Sequence, residues 1–100
     1  MPQSEFQLMV VREAYELFAM GKGYPGSPTL EFWTERIVRS FRKGAQIYVD
    51  NPKYKKKALG EQIISELKDV DSAVIAKKYK GKVEKERSIK RNLRNSGRVV

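Results

Sequence analysis

The sequence predicts an all-α protein, a small bundle of four to five helices with a basic, loosely held C-terminal segment. Three observations support this fold class: apolar residues recur at three- and four-residue spacing, strand-like alternation stays short, and glycine, proline and capping residues separate the periodic stretches. Hydrophobic residues make up 40% of the 100 positions, enough for one modest core. We expect a helical domain over residues 1–80 and a basic extension or frayed helix over residues 81–100.

The first helix is predicted to begin at Ser4 and to run to about Met20. Ser4 and Gln7 have the spacing of a capping box. Three glycines and two prolines in residues 21–28 then predict a loop. This loop is not expected to hold a phosphate, because a phosphate loop needs Lys and Ser/Thr directly after its last glycine and Gly26 is followed by Ser27 and Pro28.

The second and third helices follow from the next capping signals. Ser27 and Pro28 have the residue types of an N-cap and a first helical position, and the helix is predicted to continue towards Val49 unless Gly44 ends it. Asn51 and Pro52 then predict a stop and the cap of a third helix. The apolar stripe of that helix consists of Leu59, Ile63, Leu67 and Val70.

A short fourth helix is predicted from an N-cap at Asp71 and Ser72 to a stop at Gly81. A fifth helix over residues 82–95 has only three large apolar residues, so we expect it to be extended, frayed or ordered only by a partner. Asp69 and Asp71 offer oxygen ligands of the kind that Mg²⁺ prefers, but capping explains Asp71 without a metal. We expect no metal site.

The composition restricts the function classes. The chain has no Cys and no His, which excludes disulfides, Cys/His zinc sites, haem held by either residue, and Ser-His-Asp or Cys-His catalysis. We expect a protein that is not an enzyme and needs no cofactor. The longest apolar run near the N-terminus is Leu8 to Val11, too short for a membrane span. A cytoplasmic protein without a membrane partner is therefore predicted.

The distribution of charge points to a partner. Residues 1–50 contain six basic and six acidic residues, whereas residues 51–100 contain fifteen basic and six acidic ones, so the whole excess of +9 lies in the second half. Polarised positive charge presents a field to a polyanion. We predict binding of DNA or RNA, between which the sequence does not decide.

Two clusters of cations are the candidate nucleic-acid contacts. In the first, Tyr54 offers a stacking surface among lysines that are expected at a helix start. The second contains more arginine towards its end, and arginine binds phosphate and guanine in a bidentate manner. The candidate residues are Lys53, Tyr54, Lys55, Lys56, Lys57, Lys77, Lys78, Lys80, Lys82, Lys85, Arg87, Lys90, Arg91, Arg94 and Arg98.

Part of the second cluster resembles a known family. Leu67-Lys68-Asp69-Val70-Asp71-Ser72-Ala73-Val74-Ile75 followed by Tyr79-Lys80-Gly81 is similar to the opening helix of helix-turn-helix units of the sigma-factor region 4 type, which small phage transcription regulators also carry. The resemblance covers about residues 66–100 and implies a second helix at Arg87–Leu93 and a turn at Ser96-Gly97. It implies a role in transcription regulation, although the chain ends where a recognition helix would begin.

The neutral first half is a candidate protein-binding surface. Phe32 and Trp33 form a larger aromatic pair than one buried helix face needs, and Tyr24 lies in the nearby loop. The alternative to nucleic-acid binding is therefore a non-catalytic protein-interaction module or a small subunit of a larger complex. A protein partner or a homodimer would then use Tyr24, Phe32 and Trp33 on the N-terminal helices.

Overall fold

The chain folds into four helices in the computed structural model, which describes the backbone of residues 4–96 and the side chains of residues 4–90. A short 3₁₀ turn, Pro52–Tyr54, connects the second and third helices, and no strand occurs among the described residues. The predicted all-α bundle is thereby confirmed. The helices are α1 (Glu5–Gly21), α2 (Leu30–Asp50), α3 (Lys57–Leu67) and α4 (Ser72–Ser96).

Helix α1 begins where the sequence predicts. The Ser4 hydroxyl accepts a hydrogen bond from the Gln7 amide at 3.2 Å, as an N-cap does. In a complete capping box the Gln7 side chain would also bind the Ser4 amide, but here both groups bind other helices instead. The Gln7 side chain donates to the Glu66 carbonyl of α3 at 3.0 Å, and the Ser4 amide donates to the Tyr79 hydroxyl of α4 at 3.2 Å. The start of α1 therefore joins three helices.

Helix α2 begins two residues later than predicted. Thr29, not Ser27, is the N-cap, and its hydroxyl accepts from the Phe32 amide at 3.2 Å. The Ser27 amide is already used in the preceding loop, where it donates to the Tyr24 carbonyl at 3.2 Å. Gly44 does not end the helix, which continues to Asp50.

The connection to α3 differs from the prediction. Asn51 and Pro52 start the 3₁₀ turn instead of a longer helix, and Lys55 then takes the left-handed conformation with φ 54°. Because that conformation interrupts a right-handed helix, α3 begins only at Lys57. The lysines expected at a helix start therefore lie in a turn, with Lys57 as the exception.

Helix α4 is continuous across Gly81, so the predicted helix end there and the separate fifth helix are wrong. The predicted cap is confirmed, because Asp71 Oδ1 accepts from the amides of Ala73 at 3.0 Å and Val74 at 3.4 Å. A glycine inside a helix costs only about 1 kcal/mol relative to alanine. Burial of Tyr79 and Val83 on either side of Gly81 outweighs that cost.

All four helices contribute to one core. Its most buried side chains come from α1, α2, α3 and the first half of α4; the fully or nearly fully buried ones include Val10, Val11, Thr34, Leu67, Ala76 and Tyr79. The predicted division at residue 80 remains a prediction, although α4 crosses it without a break. Among the described helices, none combines the length and the apolar character needed to cross a bilayer.

Candidate nucleic-acid interface

Helix α4 separates its apolar and basic residues onto opposite sides. Ile75, Tyr79 and Val83 recur every four residues and are buried against the bundle. Lys77, Lys78 and Lys85 project from the other side of the helix and are exposed. Lys80 and Lys82 are exposed as well and flank this outer face.

The two acidic residues in the described part of α4 differ in position: Glu86 is bound to α1, whereas Glu84 is exposed and lies near Tyr15 and Arg87. The Arg12 guanidinium binds the Glu86 carboxylate through two hydrogen bonds of 2.9 Å. That bond from Arg12 is the main reason the pKa of Glu86 is lowered, and Lys82 and Lys90 add smaller effects of the same sign. Burial, and after it the nearby charge of Glu84, raises the pKa of Tyr15 on α1. The outer face of α4 is left with cations.

Arg87 belongs to the contact between α1 and α4. Its guanidinium lies 5.3 Å from the ring centroid of Tyr15 and forms an ion pair with Glu16. The structure therefore places this candidate nucleic-acid contact against α1, where part of its charge is neutralised. Arg87 differs in this respect from the lysines of the outer face.

The outer lysines of α4 are not neutralised by ion pairs within residues 4–90. Across residues 4–90, no ion pair involves Lys77, Lys78, Lys80 or Lys85. The Lys78 ammonium lies 5.2 Å from the ring centroid of Tyr79, a contact that leaves its charge in place. Unpaired surface cations of this density are able to exchange their counterions for phosphates.

The first basic cluster combines aromatic rings with cations in the turn before α3. Tyr54 is 46% exposed, and its ring meets that of Tyr48 at a centroid distance of 5.9 Å. The ammonium groups of Lys53 and Lys56 each lie 5.2 Å from one of these rings. In the described part of the chain, no hydrogen bond or ion pair connects this turn with α4. This turn thus combines one exposed ring with two nearby ammonium groups.

The aromatic residues of the first half are only partly brought together. Phe32 and Trp33 form an edge-to-face pair with centroids 5.6 Å apart, and the Arg36 guanidinium lies 5.7 and 6.0 Å from the two centroids. Phe32 is 44% exposed, whereas Trp33 packs against the core with a buried Nε1 that has no hydrogen-bond partner. Tyr24 projects from the α1–α2 loop and is 72% exposed.

A third set of cations on α2 is missed by the sequence analysis. Arg36, Arg39, Arg42 and Lys43 are all exposed, and no acidic residue lies between Glu35 and Asp50. Net charge hides this group, because Glu31, Glu35 and Asp50 on α2 itself cancel three of its four positive charges. The signal in the sequence is the stretch 36–49, which contains four basic and no acidic residues.

The remaining candidates lie outside what the structure describes or carry no site. Arg91 and Arg94 belong to the backbone of α4 but their side chains are outside the described residues, and Arg98 lies outside them entirely. No group of acidic residues in residues 4–90 is arranged to hold a metal ion. An open groove of about 870 Å³ lies between α1 and α4. Two carboxylates that line it, those of Glu16 and Glu86, are paired with Arg87 and Arg12.

Comparison of the chain with protein-family models, with curated proteins and with solved structures finds no match.

Proposed function

We propose that this protein is a non-catalytic nucleic-acid-binding accessory or transcription-regulatory protein of the cytoplasm, which contacts phosphates through its basic C-terminal half. The observation that carries the proposal is the arrangement of α4: Glu86 is bound by Arg12 of α1, while Lys77, Lys78 and Lys85 face solvent and form no ion pair with any residue in 4–90. A helix that needed charge only for solubility would gain from Glu–Lys pairs on that face.

The salt dependence of binding tests the proposal. Neutralising about six phosphates would make the affinity fall on the order of a thousandfold between 50 and 200 mM salt. We would measure the anisotropy of labelled single- and double-stranded DNA and RNA at both salt concentrations, which also decides between the nucleic acids. Absence of binding at 50 mM salt, or an affinity that does not change with salt, would contradict the proposal.

A pair of double variants tests the location of the contact. Lys77→Glu with Lys85→Glu reverses two outer charges of α4, and we expect it to abolish the shift in anisotropy. Lys22→Glu with Lys68→Glu changes the net charge equally at two exposed residues that lie at the ends of α1 and α3. The control should keep most of the affinity, whereas equal losses in both variants would point to net charge alone and not to α4.

The second candidate function, a protein-interaction module or small subunit of a larger complex, is favoured by one specific observation. Met20, Tyr24 and Phe32 expose 75%, 72% and 44% of their surfaces at the α1–α2 end of the bundle. Exposed apolar clusters mark contacts with other proteins. Capture of a protein partner that survives nuclease treatment and is lost with Tyr24→Ser would favour this function, and sedimentation would show whether the partner is a second copy.

A further inference from the structure

The α2 ridge, which we define as Phe32, Arg36, Arg39 and Lys43, lies along one side of α2. These residues follow one another at intervals of four, three and four positions, so they share one face of the helix. All four are exposed, while the buried residues of α2 are Leu30, Thr34, Val38 and Ala45. At 1.5 Å per residue the ridge is about 16 Å long.

The charges of the α2 ridge are available to a ligand. Arg39 pairs with Glu35 at 2.9 Å, but their side chains are 73% and 56% exposed, so a phosphate can replace this contact at little cost. No ion pair among the described residues involves Arg36 or Lys43. Arg36 is instead held beside the rings of Phe32 and Trp33.

Phe32 supplies a different kind of contact at the beginning of the ridge. Its ring is fixed between Trp33 and Arg36 and still exposes 44% of the residue surface. A ring that is already positioned loses little conformational freedom on binding. Aromatic rings and arginine planes are the surfaces on which unpaired bases stack.

We propose that the α2 ridge binds single-stranded nucleic acid, with a base stacked on Phe32 and phosphates contacted by Arg36, Arg39 and Lys43. This inference rests on the proposed function and gives it a substrate class. In a duplex the base faces are stacked on neighbouring bases, so no base face is available to stack on Phe32. An acidic peptide would complement the positive charges, but its residues lack a flat aromatic face to stack on Phe32. A single strand offers both negative charge and stacking bases, so it is the favoured ligand.

The test uses the full chain and follows Trp33, the single tryptophan of the sequence. The ligands are a thymidine 20-mer, a 20-mer with abasic sugars throughout, a 20-base-pair duplex and polyglutamate of similar length. We expect the thymidine strand to quench Trp33 emission, because its base stacks on the neighbouring Phe32. The abasic strand should bind about tenfold more weakly, as expected from the loss of base stacking.

Substitution of Phe32 separates stacking from charge. Phe32→Leu removes the ring while keeping an apolar side chain, and we expect it to weaken binding of the thymidine strand about tenfold and to leave the abasic strand unchanged. Met9→Ala is the control, since Met9 is an exposed apolar residue on α1 and not on the α2 ridge, and it should not change either affinity. Arg36→Glu with Lys43→Glu should weaken binding of both strands.

The outcomes distinguish this inference from the proposed function. If Phe32→Leu keeps the wild-type preference for bases, or if polyglutamate binds as tightly with the same dependence on Phe32, the single-strand assignment is overturned. If the α4 variant loses binding at the same time, the proposed function still stands. If the wild-type chain binds none of the nucleic acids, the proposed function fails first.

Discussion

At the scale of single residues, the glycines inside the helices have different surroundings. A Cβ built at Gly60 would lie 2.6 Å from the Ala45 carbonyl oxygen and 3.0 Å from Val49 Cγ2. The same atom at Gly44 or Gly81 would meet nothing within 4 Å. Gly60 therefore permits the close approach of α3 to α2, whereas the other two glycines have no neighbour that requires them.

We predict opposite effects of alanine at Gly60 and Gly81. Gly60→Ala should lower the free energy of unfolding by about 1 kcal/mol, because the clash with α2 outweighs the gain in helix propensity. Gly81→Ala should raise it by about 0.5–1 kcal/mol. Urea denaturation followed by circular dichroism measures both values. Stabilisation by Gly60→Ala would show that α3 can move away from α2 without loss.

Local residue chemistry explains which caps the sequence predicts correctly. Ser4 and Asp71 bind amides two or three positions away, so the pattern needed to recognise them is contained in the neighbouring residues. Ser27 carries the same signal as Thr29, but the Ser27 amide belongs to the loop and the Thr29 hydroxyl caps the helix. This difference depends on the loop conformation, which the sequence pattern does not specify.

At the scale of helices, α4 is held to α1 by contacts between residues far apart in sequence. Arg12 binds Glu86, Arg87 lies on Tyr15, and Tyr79 accepts from the Ser4 amide. These contacts hold α4 against α1 as far as Arg87, where large apolar residues become few. The pattern of residues 82–95 taken alone does not reveal these partners, which lie more than seventy positions earlier in the chain.

The pair of Arg12 and Glu86 should contribute measurably to this attachment. A double-mutant cycle with Arg12→Ala and Glu86→Ala is expected to give a coupling of about 0.5–1 kcal/mol at neutral pH, the upper range for exposed pairs, because the contact is bidentate. The exposed pair of Glu35 and Arg39 is the control, with about 0.3–0.5 kcal/mol for its i,i+4 geometry. If the coupling is no larger than that of the control, the pair of Arg12 and Glu86 does not help to hold α4 against α1.

The sign of the pH dependence follows from the lowered pKa of Glu86 in the folded state, which the hydrogen bond from Arg12 causes. A carboxylate with a depressed pKa stabilises the fold above its ordinary pKa and loses that contribution as the pH falls through the lowered value. The coupling should therefore stay constant from pH 7 to about pH 5 and decline as the pH falls from about 4 towards 2.

At the scale of the whole molecule, the sequence predicts the fold class better than it predicts where the charged side chains lie on the surface. Helical periodicity is a property of neighbouring residues, so the all-α class and most of the four helices follow from it. The candidate interface is a property of three-dimensional arrangement. The contact of Glu86 with Arg12, the exposure of the α4 lysines and the exposure of the α2 ridge all depend on how the helices pack.

The net charge of +9 leads to a prediction about stability in salt. Lysines on α4 repel one another at spacings of three and four residues, for instance Lys77 with Lys80, and the exposed ion pairs that oppose this repulsion are few in residues 4–90. Without a ligand, the free energy of unfolding should therefore rise by on the order of 1 kcal/mol between 50 and 200 mM sodium chloride, as screening relieves the repulsion.

Bound nucleic acid should reverse this dependence. A ligand present at one hundred times its Kd at 50 mM salt raises the free energy of unfolding by about 2.7 kcal/mol. If the affinity falls about a thousandfold at 200 mM salt, the same ligand concentration adds less than about 0.1 kcal/mol. Thermal denaturation with and without the oligonucleotide should therefore give salt curves of opposite slope, and Lys77→Glu with Lys85→Glu should flatten both. Parallel curves for the wild-type chain would mean that the cations of α4 repel one another but do not hold phosphate.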